Sequence, residues 1–218
     1  MNYEYKGLYK NYDMTGEIKI GTGIVKVHDI TQPMPEFMFQ ADTVFCDPPC
    51  SRGNIRSFYT KAGKIADNNT LDDLNIAIFN YLAELKPKIC FIETFKSNTD
   101  FFISCLKELF PRTETIKSTY YHRQENKCYI TAAWKEDFDF DITKWIKLAG
   151  TDEQEVIRWI CQNKDFECIS DPCMGLGLVG WYANKCGKKF VGTELNPKRL
   201  AVLVDGITTG KYKHVGKV

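Results

Sequence analysis

The sequence predicts an α/β fold in which helices cover both faces of a mostly parallel sheet. Short apolar, β-branched runs of strand length recur along the chain. Longer stretches between them carry apolar residues at the spacing of an amphipathic helix. Strands that alternate with helices are typical of parallel sheets, whose connections cross over through helices. Ligands of such sheets bind at the carboxyl ends of strands, so the residues that follow each strand are the first site candidates.

Seven runs are predicted to be strands. In chain order they are 24–28, 43–46, 89–93, 116–121, 128–134, 168–170 and 190–193. A short polar stretch separates the fourth run from the fifth, which predicts an antiparallel hairpin.

Five stretches are predicted to be helices, and the clearest is 71–85. Its apolar residues stand at 71, 74, 78, 82 and 85, the period of an amphipathic helix. Thr70 is placed to cap this helix, and Asp72 and Asp73 suit its positive end. The other four are 99–110, 151–163, 178–186 and 197–207.

Length and composition predict one ordinary globular domain over residues 1–218, with 44% hydrophobic and 26% charged residues. No apolar run reaches the roughly 20 residues of a membrane span, and the first residues lack the apolar core of a signal peptide. Nine irregularly spaced cysteines predict free thiols in a reducing cytoplasm. The spacing of Cys46, Cys50, Cys168 and Cys173 differs from that of zinc ligands, so no metal site is expected.

A motif that suits an adenosyl cofactor follows the run 168–170. Its candidate binding residues are Asp171, Pro172, Cys173, Gly175 and Gly177. The glycines let the backbone turn sharply and approach a ligand. Glu194, 17 residues after Gly177 and at the end of the next strand, can accept hydrogen bonds from both ribose hydroxyls. Gly180 stands where a dinucleotide motif has its third glycine, so a nicotinamide cofactor stays open, as does a tight turn without a ligand.

A second motif follows the run 43–46. Its residues, the candidate catalytic group, are Asp47, Pro48, Pro49 and Cys50. Two successive prolines fix φ and remove two N–H donors, which leaves a rigid loop that offers hydrogen-bond acceptors. Such a loop suits an exocyclic amine, because the amine presents two N–H donors and can turn its lone pair toward an incoming methyl group.

The segment after this motif is basic and is expected to be a loop. Residues 51–66 carry no acidic residue, and the loop either holds phosphates beside the reactive centre or is a solvated surface. The candidate substrate-binding residues are Arg52, Arg56, Phe58, Tyr59 and Lys61.

The two motifs together resemble those of the β-type, permuted DNA amino-methyltransferases, which modify adenine N6 or cytosine N4. The shared pattern is Asp47-Pro-Pro, then Asp171-Pro-x-x-Gly-x-Gly, then Gly192-x-Glu194, with the reactive motif first. The resemblance covers about residues 24–207. It implies a Rossmann-like, doubly wound sheet of seven strands with a terminal hairpin, a reactive half at 24–134 and a cofactor half at 151–207. It also implies S-adenosylmethionine as cofactor, with Asp29 near its adenine.

The chain departs from that family at two places. Cys50 stands where the family has an aromatic residue that stacks on the target base, and a thiol cannot replace that stack. Phe58 or Tyr59 would then stack on the base instead. Residues 135–150 leave only a short connection where DNA enzymes of the group carry a recognition region. Sequence recognition would then come from residues 51–70, or from a second copy in a homodimer or a separate recognition subunit, or be absent.

These expectations favour a DNA adenine-N6 methyltransferase, cytoplasmic and encoded by a bacterium or a phage. Asp in the reactive motif favours adenine over cytosine in this family. An RNA amino-methyltransferase is the near alternative, since the recognition region is short. A methylase-like subunit that binds nucleic acid without catalysis is an alternative of another class, suggested by Cys50. A nicotinamide-dependent oxidoreductase would leave Asp47-Pro-Pro unexplained.

Overall fold

The computed structural model of the protein describes residues 5–120, 123–163 and 165–212. The strands are β1 (Glu17–Ile20), β2 (Gly23–Val27), β3 (Thr43–Cys46), β4 (Ile89–Thr94), β5 (Arg112–Thr119), β6 (Lys127–Trp134), β7 (Cys168–Asp171) and β8 (Lys189–Glu194). The helices are α1 (Arg52–Lys61), α2 (Thr70–Leu85), α3 (Thr99–Leu109), α4 (Ile142–Ile146), α5 (Glu153–Gln162), α6 (Leu178–Lys185) and α7 (Pro197–Thr209). Two 3₁₀ helices occupy Tyr5–Asn11 and Glu36–Gln40.

All eight strands form one sheet in the order β1-β2-β8-β7-β3-β4-β6-β5. Strands β2, β8, β7, β3 and β4 run parallel, and β5 and β6 form an antiparallel hairpin at one edge. The α/β class, the mostly parallel sheet and the hairpin are therefore confirmed. The end of the predicted strand 116–121 reaches Tyr121, which lies outside the described residues.

The predicted count of seven strands is wrong by one. The additional strand, β1, pairs antiparallel with β2 at the other edge of the sheet. It has four residues, and its two isoleucines alternate with Glu17 and Lys19. An edge strand this short has one neighbour and is partly solvated, so it needs no continuous apolar run and gives a weak sequence signal.

Two apolar clusters cover the faces of the sheet. One lies between the sheet and α4 to α7, and the other between the sheet and α1 to α3. Within β3, Phe45 belongs to the first cluster while Val44 and Cys46 belong to the second. Side chains of a strand point alternately to the two faces, so β3 is buried on both sides, as expected for a central parallel strand.

The basic segment expected to be a loop instead forms helix α1. Ser51 caps the helix by accepting a hydrogen bond from the backbone N–H of Asn54 at 3.2 Å. Ile55 and Tyr59 are buried one helical turn apart, and this packing fixes the helix. The segment has too few apolar residues for the periodicity to reveal it.

The cap of α2 also differs from the expectation. Thr70 is the first residue of the helix and not its cap. The Asp67 carboxylate accepts hydrogen bonds from the backbone N–H groups of Asn69 and Thr70, at 2.9 Å each. The start of the helix is therefore held by a side chain three residues further back.

The nine cysteines are free thiols, as the sequence predicts. None of the described helices has both the length and the apolar character needed to cross a membrane.

The turn between β7 and α6 gives a first test. Gly177 has φ +85°, and a Cβ there would lie 2.5 Å from the Cβ of Leu203 on α7. Gly187 has φ +68° but open space around it. We expect Gly177→Ala to lower the free energy of unfolding by about 2–4 kcal/mol, from backbone strain plus overlap. Gly187→Ala should cost only the strain, about 1–2 kcal/mol. Urea denaturation measures both, and equal losses would contradict the packing argument.

Candidate active site

A cavity of about 470 Å³ lies where several strands of the sheet end. Its lining includes Asp47 after β3, Asp171 at the end of β7 and Glu194 at the end of β8. The two motifs, separated by more than 100 residues in the chain, therefore contribute to one cavity.

Most of the candidate residues from the sequence line this cavity. They are Asp29, Asp47, Pro48, Pro49, Cys50, Phe58, Tyr59, Lys61, Asp171, Pro172, Cys173, Gly175 and Glu194. Gly177, Arg52 and Arg56 lie outside the lining. Arg52 is 3.6 Å from Asp72 in an exposed ion pair, and Arg56 donates a hydrogen bond to Asn68 at 2.8 Å. Helix α1 thus directs these two arginines away from the cavity.

The glycine-containing loop after β7 is anchored to Glu194. The carboxylate accepts a hydrogen bond from the backbone N–H of Gly175 at 2.7 Å and another from that of Asn196 at 2.9 Å. Gly175 has φ +59°, and a Cβ there would lie 2.7 Å from the Arg199 guanidinium. Each Glu194 oxygen can accept more than one hydrogen bond, so the carboxylate keeps capacity for the hydroxyls of a ligand.

Asp29 lies at another part of the lining and is already strongly hydrogen-bonded. It accepts from the Tyr59 hydroxyl at 2.7 Å, from the Thr31 hydroxyl at 2.8 Å and from Lys64 Nζ at 3.1 Å. Burial would raise the pKa of Asp29, but these hydrogen bonds outweigh it and lower the pKa. The Tyr59 hydroxyl therefore already has Asp29 as its hydrogen-bond acceptor. Nearby, Nε2 of His28 is buried and has no hydrogen-bond partner among the described residues.

The reactive loop presents Asp47 to the cavity. The Tyr120 hydroxyl donates a hydrogen bond to Asp47 Oδ1 at 3.4 Å. The Cys50 thiol donates to Asn54 Oδ1 at 3.3 Å, so it is turned toward the start of α1. Burial raises the pKa of Cys50, which keeps it a thiol and argues against a nucleophilic role.

The lining is strongly acidic. Its carboxyl groups are Asp29, Asp47, Glu93, Glu153, Asp171 and Glu194, whereas Lys61 and Arg199 are the Lys and Arg residues among the described lining. Those carboxyl groups that are ionised favour a cationic ligand over one that carries phosphates.

Four of these carboxyl groups, those of Asp47, Glu93, Glu153 and Asp171, have raised pKa values, and burial is the main cause for each. It raises the pKa of Asp47 to about 6, that of Glu93 to about 8 and that of Glu153 to about 10. The Asp47 side chain is exposed at the cavity, so its carboxyl group stays accessible to a ligand. The negative charge of Asp47 further raises the pKa of Glu93 and that of Glu153.

Sequence reasoning missed several residues of the lining. They are Glu93, Phe95, Tyr120, Glu153 and Arg199. Glu93 and Phe95 stand at the end of a predicted strand, so the strand-end rule could have found them. Arg199 follows the helix start at Asn196 and Pro197 and carries no sequence signal of its own. Its guanidinium lies over the ring of Phe58, 5.0 Å from the centroid.

The solved structures that resemble the chain include the following three. A putative DNA modification methylase from Thermus thermophilus, complexed with S-adenosyl-L-methionine, has a TM-score of 0.58 at 15% identity, over 86% of this chain and 95% of that one. The M1.HpyAVI–SAM complex has a TM-score of 0.51 at 13% identity, over 81% and 96%. PvuII DNA methyltransferase, described as cytosine-N4-specific, has a TM-score of 0.50 at 10% identity, over 91% and 89%.

No protein-family model and no curated protein matches the chain. At identities of 10–15% the structural likeness shows the fold alone. The chain therefore has the α/β fold of these methyltransferases, as the resemblance of its motifs implies.

The buried carboxyl group of Glu153 gives a pH-dependent test. Its folded pKa is raised, so the unfolded chain releases this proton first and stability falls as pH rises from about 5 toward 10. Glu153→Gln removes this loss and should raise the free energy of unfolding at pH 9 by at least about 1 kcal/mol, with little gain at pH 4. Urea titrations at both pH values measure the difference. Exposed Glu84→Gln is the control, and a gain independent of pH would refute the assignment.

Proposed function

We propose that the chain transfers a methyl group from S-adenosylmethionine to the exocyclic amino group of a base, with adenine N6 in DNA as the leading target. One observation carries this proposal. The acceptor loop at Asp47 and the glycine loop at Gly175 line the same cavity, at the ends of strands β3 and β7. The fold shared with DNA methyltransferases adds support without deciding the target.

The residues of the cavity fit S-adenosylmethionine better than a nicotinamide dinucleotide. The methyl donor carries a cationic sulfur and an ammonium group, which suit an acidic lining, whereas a dinucleotide would bring two phosphates to it. Gly180 also needs no dinucleotide, because a Cβ there would lie 2.9 Å from the ring of Phe190. That glycine lets α6 pack closely on the sheet. Glu194 would accept from the ribose hydroxyls, and Asp29, beside His28 in the lining, would lie near the adenine.

S-adenosylmethionine, when bound, supplies a methyl group made electrophilic by its cationic sulfur. The protein then has to orient the amine. The Asp47 carboxylate and the carbonyl groups of the Pro48-Pro49 loop accept the two N–H groups, which turns the lone pair toward the methyl group. Formation of the nitrogen–carbon bond would break the carbon–sulfur bond of the donor and leave its electron pair on a neutral sulfur. The methylated nitrogen must then lose a proton, and Asp47 is placed to take it. The Tyr120 hydroxyl holds Asp47 in position during this step.

Phe95 is the residue proposed to stack on the target base in place of Cys50. Its ring is 37% exposed and lines the cavity. It lies 5.4 Å, between centroids, from the ring of Tyr120, whose hydroxyl reaches Asp47. The two stackers expected from the sequence have other partners, since Phe58 lies against Arg199 and Tyr59 is bonded to Asp29.

A transfer assay with S-adenosylmethionine labelled in its methyl group tests the function. Single-stranded DNA, duplex DNA and RNA are offered separately, and digestion to nucleosides identifies the product. We expect N6-methyl-2′-deoxyadenosine from DNA. Label confined to RNA would favour the RNA alternative, and N4-methylcytosine would correct the base. No label with any nucleic acid, together with no cofactor binding at millimolar concentration by calorimetry, would favour the non-catalytic subunit.

Mutations in the two halves of the site should affect different quantities, kcat for the reactive half and the cofactor Kd for the other. Asp47→Asn removes a charged acceptor and should lower kcat by at least about 1,000-fold while the Kd for S-adenosylmethionine changes less than about threefold. Glu194→Gln should raise that Kd by about 10- to 100-fold, because an acceptor of the ribose hydroxyls is weakened. Single-turnover kinetics and calorimetry measure the two effects. Near-normal turnover in the Asp47 variant would refute the mechanism.

Phe95→Ala should raise KM for the nucleic acid and lower kcat/KM by about 10- to 100-fold, the cost of one base–aromatic stack. Phe101→Ala is the matched control, because Phe101 is 49% exposed on α3 and lies outside the cavity lining. Cys50→Tyr restores the aromatic residue of the family motif. If it raised activity while Phe95→Ala had no effect, Cys50 and not Phe95 would mark the stacking position.

A further inference from the structure

Glu93 is a buried carboxyl group in the cavity that the mechanism above does not use. Its side chain is 1% exposed and belongs to the cavity lining. Its Oε1 has no hydrogen-bond partner among the described residues. An unpartnered polar atom at such a site is costly, since burial removes its water without replacing it. A ligand that fills the cavity would supply the missing partner.

The sheet register places Glu93 beside Asp47. Cys46 of β3 lies opposite Ile92 of β4, so the next residue of each strand, Asp47 and Glu93, project from neighbouring positions. Side chains alternate along strands, and both residues therefore point to the same side of the sheet. An amine held by Asp47 would have its adjacent ring atoms within the region that Glu93 lines.

We propose that Glu93 determines base specificity by donating a hydrogen bond, from an uncharged carboxyl group, to the ring nitrogen next to the target amine. This inference rests on the proposed function. Adenine N1 and cytosine N3 are both acceptors beside an exocyclic amine. On its Watson–Crick edge, guanine has N1–H, a donor, beside its amine. A donor at Glu93 therefore selects the edge that adenine and cytosine share and leaves guanine with two donors facing each other.

The surroundings of Glu93 favour the uncharged form. The acidic groups that act on it are Asp47 after β3 and Asp152 and Glu153 at the start of α5. The Tyr120 hydroxyl after β5 and the Cys128 thiol of β6 are hydrogen-bonded to it and lower its pKa, but less than burial raises it. None of these is a cation. Burial and the charge of Asp47 raise the pKa of Glu93 to about 8, so it holds its proton at neutral pH and can serve as a donor.

A substrate analogue tests the hydrogen bond without changing the protein. In an oligonucleotide that the wild type methylates, the target adenine is replaced by 1-deazaadenine, which has C–H in place of N1. We expect kcat/KM to fall about 10- to 100-fold, because the buried donor loses its acceptor. If the product proves to be N4-methylcytosine, 3-deazacytosine takes the same role. An analogue methylated as efficiently as the natural base would overturn the proposal.

Two variants separate donation from charge. Glu93→Gln keeps an N–H donor and should stay within about fivefold of the wild-type kcat/KM. Glu93→Met keeps the length without a donor and should fall about 10- to 100-fold, while the Kd for S-adenosylmethionine stays within about threefold. Because the Glu93→Met variant has no donor to lose, replacing the target adenine by 1-deazaadenine should lower its kcat/KM by less than about threefold. Exposed Glu108→Gln is the control and should match the wild type.

The pH profile gives a readout that a merely structural role would not move. Wild-type kcat/KM should fall above about pH 8, where Glu93 loses its proton, and Glu93→Gln should lack this alkaline decline. A Gln variant as inactive as the Met variant would mean that a carboxylate is required and would refute donation. If the wild-type protein methylates no base, the proposed function is refuted. If the wild type methylates a base and Glu93→Met has the same activity, only the role of Glu93 is refuted.

Discussion

The site depends on the parallel pairing of β3 with β7. Thr43 lies opposite Ile169 and Val44 opposite Ser170, so the two strands end at the same edge of the sheet. From β3 the chain continues to β4 on one side, and from β7 it continues to β8 on the other. Loops that leave in opposite directions open a crevice between them. A break in this pairing would separate the acceptor loop from the glycine loop, and neither half alone would form the cavity.

Close packing between the glycine loop and strand β8 fixes the position of the loop. A Cβ on Gly192 of β8 would lie 2.2 Å from the sulfur of Met174, so the loop rests directly on the neighbouring strand. This contact lets Glu194, two residues further along β8, reach the backbone of Gly175. The glycines at 175 and 192 therefore act together, one by its conformation and the other by its lack of a side chain. The position of the Glu194 carboxylate follows from packing within the protein.

Local sequence signals predicted the parts of the fold that carry strong patterns, and tertiary packing decided the rest. Buried central strands and the glycine loop were found because apolar runs and turn residues are local features. Helix α1 was missed because Ile55 and Tyr59 are its buried residues, and their partners lie in distant parts of the chain. The same helix turns Arg52 and Arg56 outward, which no local signal could show. Arg199 lines the cavity only because α7 packs beside Gly175.

The carboxyl groups that line the cavity make ligand binding depend on the charge of the ligand. The charge of Asp47 raises the pKa of Glu93 and that of Glu153, so Asp47 carries the negative charge of this group at neutral pH while the other two hold their protons. A cation beside the Asp47 carboxylate would stabilise that charge. On the proposed function the methyl donor carries such a charge on sulfur, and the sulfur of the product is neutral. The lining that favours the donor therefore holds the product less firmly, so one arrangement of charges promotes both binding and release.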